Sequence, residues 1–136
     1  MFKKPKLLIC RGLPGSGKSH YAKKLSKQFN IKHFENDAYL YVNGEYKWTP
    51  ITAKLAAKKC FEDTMNELKA GRNAIVSNVF VTKGAIDKYV NMAKHIGASV
   101  MIIRMTKNFG NIHNVPQDTL TSMKNGFQDY PGEILK

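Results

Sequence analysis

Gly12, Gly15, Gly17, Lys18 and Ser19 fall in the pattern G-x-x-x-x-G-K-S, and that spacing suits phosphate chemistry. Glycine reaches backbone angles closed to other residues and lets the chain approach a ligand closely. In such a loop the N–H groups converge on one concavity and favour an anion. The helix that follows adds its positive N-terminal end. Gly12, Leu13, Pro14, Gly15, Ser16, Gly17, Lys18, Ser19 and His20 therefore form the candidate nucleotide-binding stretch. Lys18 can reach β- and γ-phosphate oxygens and the Ser19 hydroxyl can ligate Mg²⁺, so the expected cofactors are ATP and Mg²⁺. A second chemical group, Asp37, follows Asn36 at the end of a short alternating run, Ile31 to Glu35. Ligands of open parallel sheets sit beyond the carboxyl ends of the strands, which would aim Asp37 at the same crevice. The other reading of Asp37 is a turn or helix-cap residue.

These groups need a scaffold, and hydropathy supplies one. Lys6 to Arg11 is a short apolar run of the kind that makes a buried parallel strand. Tyr21, Ala22, Leu25 and Phe29 then fall on one helical face, and Asn30 ends the helix. Thr49 and Pro50 open a second helix, closed by Gly71, with Ala53, Ala57, Cys60 or Phe61, Met65 and Leu68 as its apolar face. Asn73 to Val76 reads as a third strand, with Ser77 and Asn78 at its end. Thr82 caps a helix over 83–96, stopped by Gly97, and Ala98 to Met105 is a fourth strand. The β-α-β-α-β-α-β order implies an α/β, three-layer P-loop NTPase fold: a mostly parallel sheet of about four strands with helices on both faces. Residues 106–114 form a polar connection suited to a short lid, and Pro116 opens a last helix carrying Leu120, Met123 and Phe127. Residues 1–136 are expected to be a single domain.

Composition narrows the partners. The chain has 136 residues, with 22 Lys and Arg against 10 acids, a formal charge of +12. That excess suits a polyanion such as nucleic acid, or simply keeps the surface solvated. Tyr39, Tyr41, Tyr46 and Trp48, around the turn Asn43-Gly44, could stack on bases or wedge their loop onto the body of the domain. Cys10 and Cys60, the two cysteines, read as buried free thiols in a reducing compartment. The apolar run after the basic N-terminus is too short for a signal peptide or a membrane span. The expectation is a cytoplasmic protein, in a host cytoplasm if phage-encoded.

Arg11-Gly-Leu-Pro-Gly-Ser-Gly-Lys-Ser19, Asn36-Asp37, Ala74-Ile-Val-Ser-Asn78 and His113-Asn-Val-Pro116 with Met123 beyond occur in the order seen in P-loop polynucleotide-kinase-like proteins, which the chain resembles. The resemblance implies transfer of the ATP γ-phosphoryl group to a hydroxyl of a nucleic acid 5′ end (DNA or RNA) or of a nucleotide or nucleoside. It places Arg11 and Lys18 near the phosphates, Ser19 and Asp37 at the metal, Asp37 also at the acceptor hydroxyl, and Lys107 or Arg104 on the lid side. Relatives carry Asp-Asn-Thr-Asn after the third strand; here Ser77-Asn78-Val79-Phe80 lacks that carboxylate. Gly110-Asn111 stands where a lid arginine is common. These departures keep two other functions open: a nucleotide-binding module with little catalysis, and a toxin-type small-molecule kinase.

Overall fold

The computed structural model describes residues 4–110 and 115–136. Its centre is β1 (Lys6–Arg11), which is flanked in parallel by β5 (Ala74–Asn78) and β6 (Ser99–Arg104). The five-stranded parallel sheet is completed by β2 (Lys32–Phe34) beside β5 and by β7 (Ile134–Leu135) beside β6. The order is β2-β5-β1-β6-β7. The fifth strand, only two residues long, is one more than the sequence pattern announces. Its backbone is fixed by Lys136 N–H donating to Arg104 O and Thr106 N–H to Lys136 O.

The sheet is covered on both faces, as the alternating run order requires. Leu7 and Ile9 of β1, with Ala74 and Val76 of β5, join the larger core under α2 (Pro50–Lys69) and α3 (Lys83–Ile96). Cys10 and Ile75 face the other way, onto Ala22, Tyr21 and Leu25 of α1 (Lys18–Phe29). The period-2 alternation of a strand thus sorts successive residues into two cores. The helix ends follow local chemistry. Thr49 and Thr52 form a capping box with Pro50 at the first position of α2, and the Thr82 hydroxyl accepts from Ala85 N–H at α3. Asn30 and Gly97 close α1 and α3 in the left-handed region.

The helical face of α2 is rotated in part from the expected one: Cys60, Phe61, Met65 and Leu68 pack into the core as expected. In α2 the buried residues are Ala56, Cys60, Thr64, Glu67 and Leu68, while Ile51 and Leu55 are exposed. Thr64 can sit inside because its hydroxyl donates to Cys60 O, and Glu67 because Arg72 and Lys32 pair with it. In α1 the expected Tyr21, Ala22 and Leu25 pack on the sheet, and of that face only Phe29 points outward. Cys10 and Cys60 are free and buried as expected, and burial pushes the Cys10 thiol up to about 12.

Arg11 is the largest correction to the expected placements. Rather than facing phosphate, it is fully buried and ties the C-terminal segment to the sheet. Its guanidinium donates to Phe80 O through Nε and Nη2, to Gln128 O, and to the Glu133 carboxylate at 2.7 Å. Its plane also stacks on Phe127, whose ring lies 4.2 Å from Arg11 Cζ and 4.6 Å from that of Arg104. Arg11→Met should lower unfolding stability by about 3 kcal/mol, because Glu133 and two carbonyls lose a buried donor. Denaturant unfolding measures the loss. Hydrogen exchange should show it as early opening of residues 127–136; protection unchanged there would remove the anchoring role.

Candidate functional site

The loop between β1 and α1 begins at Gly12, whose N–H donates to Val79 O, and turns through Ser16 N–H to Leu13 O. Gly15 and Gly17 both hold φ values open to glycine, 83° and 87°. Gly17 is the N-cap of α1 and brings no capping side chain, and the first turn holds no acid. The helix therefore presents its first N–H groups to an external anion. Lys18 is buried, yet no carboxylate lies within ion-pair distance of it among the described residues. Burial holds its ammonium below the usual lysine value, against the pull of Glu35 and then of Asp37. The Ser16 hydroxyl is buried and without a partner among the described residues. An uncapped helix start, a lone buried ammonium and an orphaned hydroxyl at one loop fit a phosphate group.

Beside the loop lies a carboxylate the sequence reading did not single out. Glu35 Oε2 accepts from the Ser19 hydroxyl at 2.8 Å and from the Ser77 hydroxyl at 3.1 Å. Ser77 Oγ in turn lies 2.6 Å from His33 Nε2. Since Ser77 gives its proton to Glu35, His33 donates to Ser77 from Nε2. Burial, the largest influence on His33, lowers it below the ordinary imidazole value, so the ring is neutral at pH 7. Asp37 sits two residues further, in the short 3-10 helix Asn36–Leu40, whose start is fixed by Asn36 N–H donating to Asn78 Oδ1. Asp37 is exposed, and its charge, after burial, helps hold the Tyr46 hydroxyl above the usual tyrosine value.

The aromatic stretch divides. Tyr39 packs against the core with its hydroxyl on Asp63. Tyr41 and Tyr46 face each other edge-on across the hairpin of β3 (Tyr41–Val42) and β4 (Glu45–Tyr46), with ring centroids 5.4 Å apart. Asn43 and Gly44, both at positive φ, form its two-residue turn. Tyr41, Tyr46 and Trp48 are each at least half exposed.

Residues 106–110 lie on the phosphate loop. Phe109 N–H donates to Gly15 O at 2.7 Å. A Cβ at Gly15 would meet Gly110 O at 2.0 Å, and one at Gly17 would meet the Phe109 ring at 2.9 Å. The two glycines are thus needed for close approach as well as for their φ. Lys107 is exposed on this segment. His113 and the rest of residues 111–114 lie outside the described residues.

An AAA-domain family model matches residues 7–108. The chain belongs to this family of P-loop kinases. It is 32% identical over 145 residues to an uncharacterized protein of Pasteurella multocida (strain Pm70), covering 95% of this chain and 81% of that one. It is 30% identical over 98 residues to a protein named as a bifunctional polynucleotide kinase/RNA ligase of Autographa californica nuclear polyhedrosis virus. That match covers 64% of this chain and 14% of the viral protein. The fold is that of a gluconokinase from Sinorhizobium meliloti 1021, at a TM-score of 0.68 and 14% identity over 98% of this chain and 82% of the other. Together these support a polynucleotide-kinase-like P-loop kinase.

Within this kinase the structure gathers Lys18, Ser19, Glu35 and Asp37 beside the phosphate loop. Arg104 is taken up elsewhere: it pairs with Asp129 and Glu133 and stacks on Phe127, so its role is with Arg11 in the C-terminal anchor. The His20 side chain is exposed on α1. The signal that could have found Glu35 is sheet register. Phe34 pairs with Val76, so the next residues along, Glu35 and Ser77, are neighbours at the carboxyl edge.

Proposed function

We propose that this kinase transfers the γ-phosphoryl group of ATP to a hydroxyl of a nucleic acid end. The observation that carries the reading is proximity: the buried Lys18 ammonium and the Tyr46 hydroxyl of the exposed hairpin both lie close enough to Asp37 to feel its charge. Lys18 and the helix start hold the phosphates. Mg²⁺, at Ser19, would neutralise charge on them. Asp37 accepts the acceptor hydroxyl's proton as its oxygen bonds to the γ-phosphorus and the bond to the ADP oxygen breaks. Lys107 is the cation on the side of residues 106–110. Tyr41 and Trp48 offer base-sized stacking surfaces, and the +12 charge favours a polyanion. The viral relative's name points the same way.

The test uses γ-labelled ATP with 5′-hydroxyl DNA and RNA oligonucleotides, free nucleosides and gluconate. Label on an oligonucleotide is the expected result. Trp48, the one tryptophan of the chain, should report binding by quenched fluorescence that reverses steeply with salt. Label on a nucleoside or gluconate alone would overturn the nucleic-acid acceptor. Nucleotide binding with transfer to none of them would leave a binding module.

A further inference from the structure

We infer that Glu35 is the carboxylate that holds the magnesium ion in this chain, in place of the acid missing from position 77. The inference rests on the nucleotide-binding reading of the loop and goes beyond it in moving the metal-holding group to a different strand. The loss at position 77 looks disabling when β5 is read alone, because Mg²⁺ beside phosphates takes one or two protein carboxylates. The sheet repairs it sideways. β2 lies next to β5 in parallel register, Lys32 beside Ala74 through Phe34 beside Val76. One step on, Glu35 reaches the row of Ser77, and its Oε2 accepts from Ser77 Oγ at 3.1 Å. The same oxygen accepts from Ser19 Oγ at 2.8 Å. A hydroxyl that gives its proton to a carboxylate leaves its lone pairs to face a cation, so Ser19 is set up as a ligand by this bond. Ser77 and His33 stand behind as the outer support, with His33 Nε2 at 2.6 Å from Ser77 Oγ.

The donor set is also the right kind. Among the described residues no group of three or more His, Cys, Asp and Glu side chains could form a complete metal cage. Mg²⁺ does not need one; it keeps waters and takes phosphate oxygens alongside one or two protein oxygens. Ser19 Oγ and Glu35 Oε1 or Oε2 supply that many, directly or through water. A purely structural Glu35 would serve only to tie the ends of β2 and β5 to α1.

The experiment separates the two roles by calorimetric titration of the nucleotide analogue AMPPNP, with and without Mg²⁺, and by Mn²⁺ electron paramagnetic resonance of the same complexes. Glu35→Gln keeps the size of the side chain and an oxygen that accepts from Ser19 and Ser77. It should retain metal-free AMPPNP affinity and lose about ten- to a hundred-fold of the affinity that Mg²⁺ adds, with matching loss of bound Mn²⁺. Ser77→Asp added to Glu35→Gln should restore the metal effect by returning a carboxylate to β5. A Glu35→Gln protein with the wild-type Mg²⁺ enhancement overturns the inference while leaving the phosphate site intact. So does a variant that loses metal-free affinity as well, which is the mark of a structural role. A wild-type protein that binds no AMPPNP under any condition overturns the nucleotide-binding reading itself.

Discussion

Lys18→Met is expected to yield a protein that unfolds no more easily than wild type and binds ATP at least about a hundred-fold more weakly. The two effects have one cause. Lys18 is buried with no ion-pair partner among the described residues, and desolvation lowers its pKa despite Glu35 and Asp37. A lysine whose folded pKa lies below its unfolded value binds its proton less readily in the native state. That costs stability at every pH where both states are protonated, neutral pH included. Methionine removes the charge and keeps most of the apolar stem. The variant's stability advantage should therefore be full below the folded pKa, narrow as the pH rises through it, and vanish above the unfolded value near 10.5. A bound triphosphate reverses the balance in the wild type, because phosphate oxygens replace the lost hydration of the ammonium. Thermal melts with and without ATP measure both halves. A variant that melts well below wild type in the absence of nucleotide, or that keeps wild-type ATP affinity, would show that the ammonium is already satisfied within the protein.

The residues that made the cleft readable were those whose type carries a local rule. The phosphate loop declared itself because glycine angles and a lysine at fixed offset depend on neighbours along the chain. Thr49-Pro50, Thr82, Asn30 and Gly97 marked helix ends for the same reason, and all four lie at the ends they announced. What failed to show is what depends on neighbours in space. Arg11 and Arg104 looked like phosphate ligands because they stand at the ends of strands bordering the loop, Arg11 paired with Arg104 in register. Their actual partners, Phe127, Asp129 and Glu133, lie more than twenty residues further along the chain, in a segment whose closing strand is two residues long. So short a strand has no periodicity to read. The rotated face of α2 has a similar origin: Thr64 and Glu67 look solvated until the hydroxyl finds a carbonyl one turn back and the carboxylate finds Arg72.

Glu35 is the instructive case. Read along the chain, it is the polar end of an alternating strand, and Ser77 is a lost acid. Read across the sheet, the two are adjacent and share a hydrogen bond. Linear motif comparison assigns each function to a position, whereas a metal ion responds only to where an oxygen stands. A carboxylate can move one strand over at no cost to the ion, provided register keeps it at the carboxyl edge. On that proposal, glutamate's extra methylene would span the sideways step, with Ser77 as its hydrogen-bond donor.

Asp37→Asn should abolish transfer while sparing what precedes it. Asp37 is exposed on the short 3-10 helix, and its side chain takes part in none of the described ion pairs, so the substitution removes little that the fold uses. Its two neighbours in chemistry are differently engaged. Glu35 Oε2 already accepts from two serine hydroxyls, whereas Asp37 is exposed near the Tyr46 hydroxyl of the hairpin. An acceptor hydroxyl lying between the hairpin aromatics and the phosphate loop meets Asp37 as its nearest free base. Asparagine keeps the shape but cannot take a proton. The turnover rate with the best acceptor should fall by about 10²- to 10⁴-fold, the usual worth of a positioned general base. AMPPNP affinity should stay near wild type, because the phosphates are held by Lys18 and the helix start. Tyr46→Phe should cost far less, since it removes only a hydroxyl near the carboxylate and leaves the base in place. A wild-type turnover rate in Asp37→Asn would place the proton acceptor elsewhere in the cleft, with Glu35 next in line. A loss of turnover matched by an equal loss of AMPPNP affinity would instead make Asp37 part of the nucleotide and metal site.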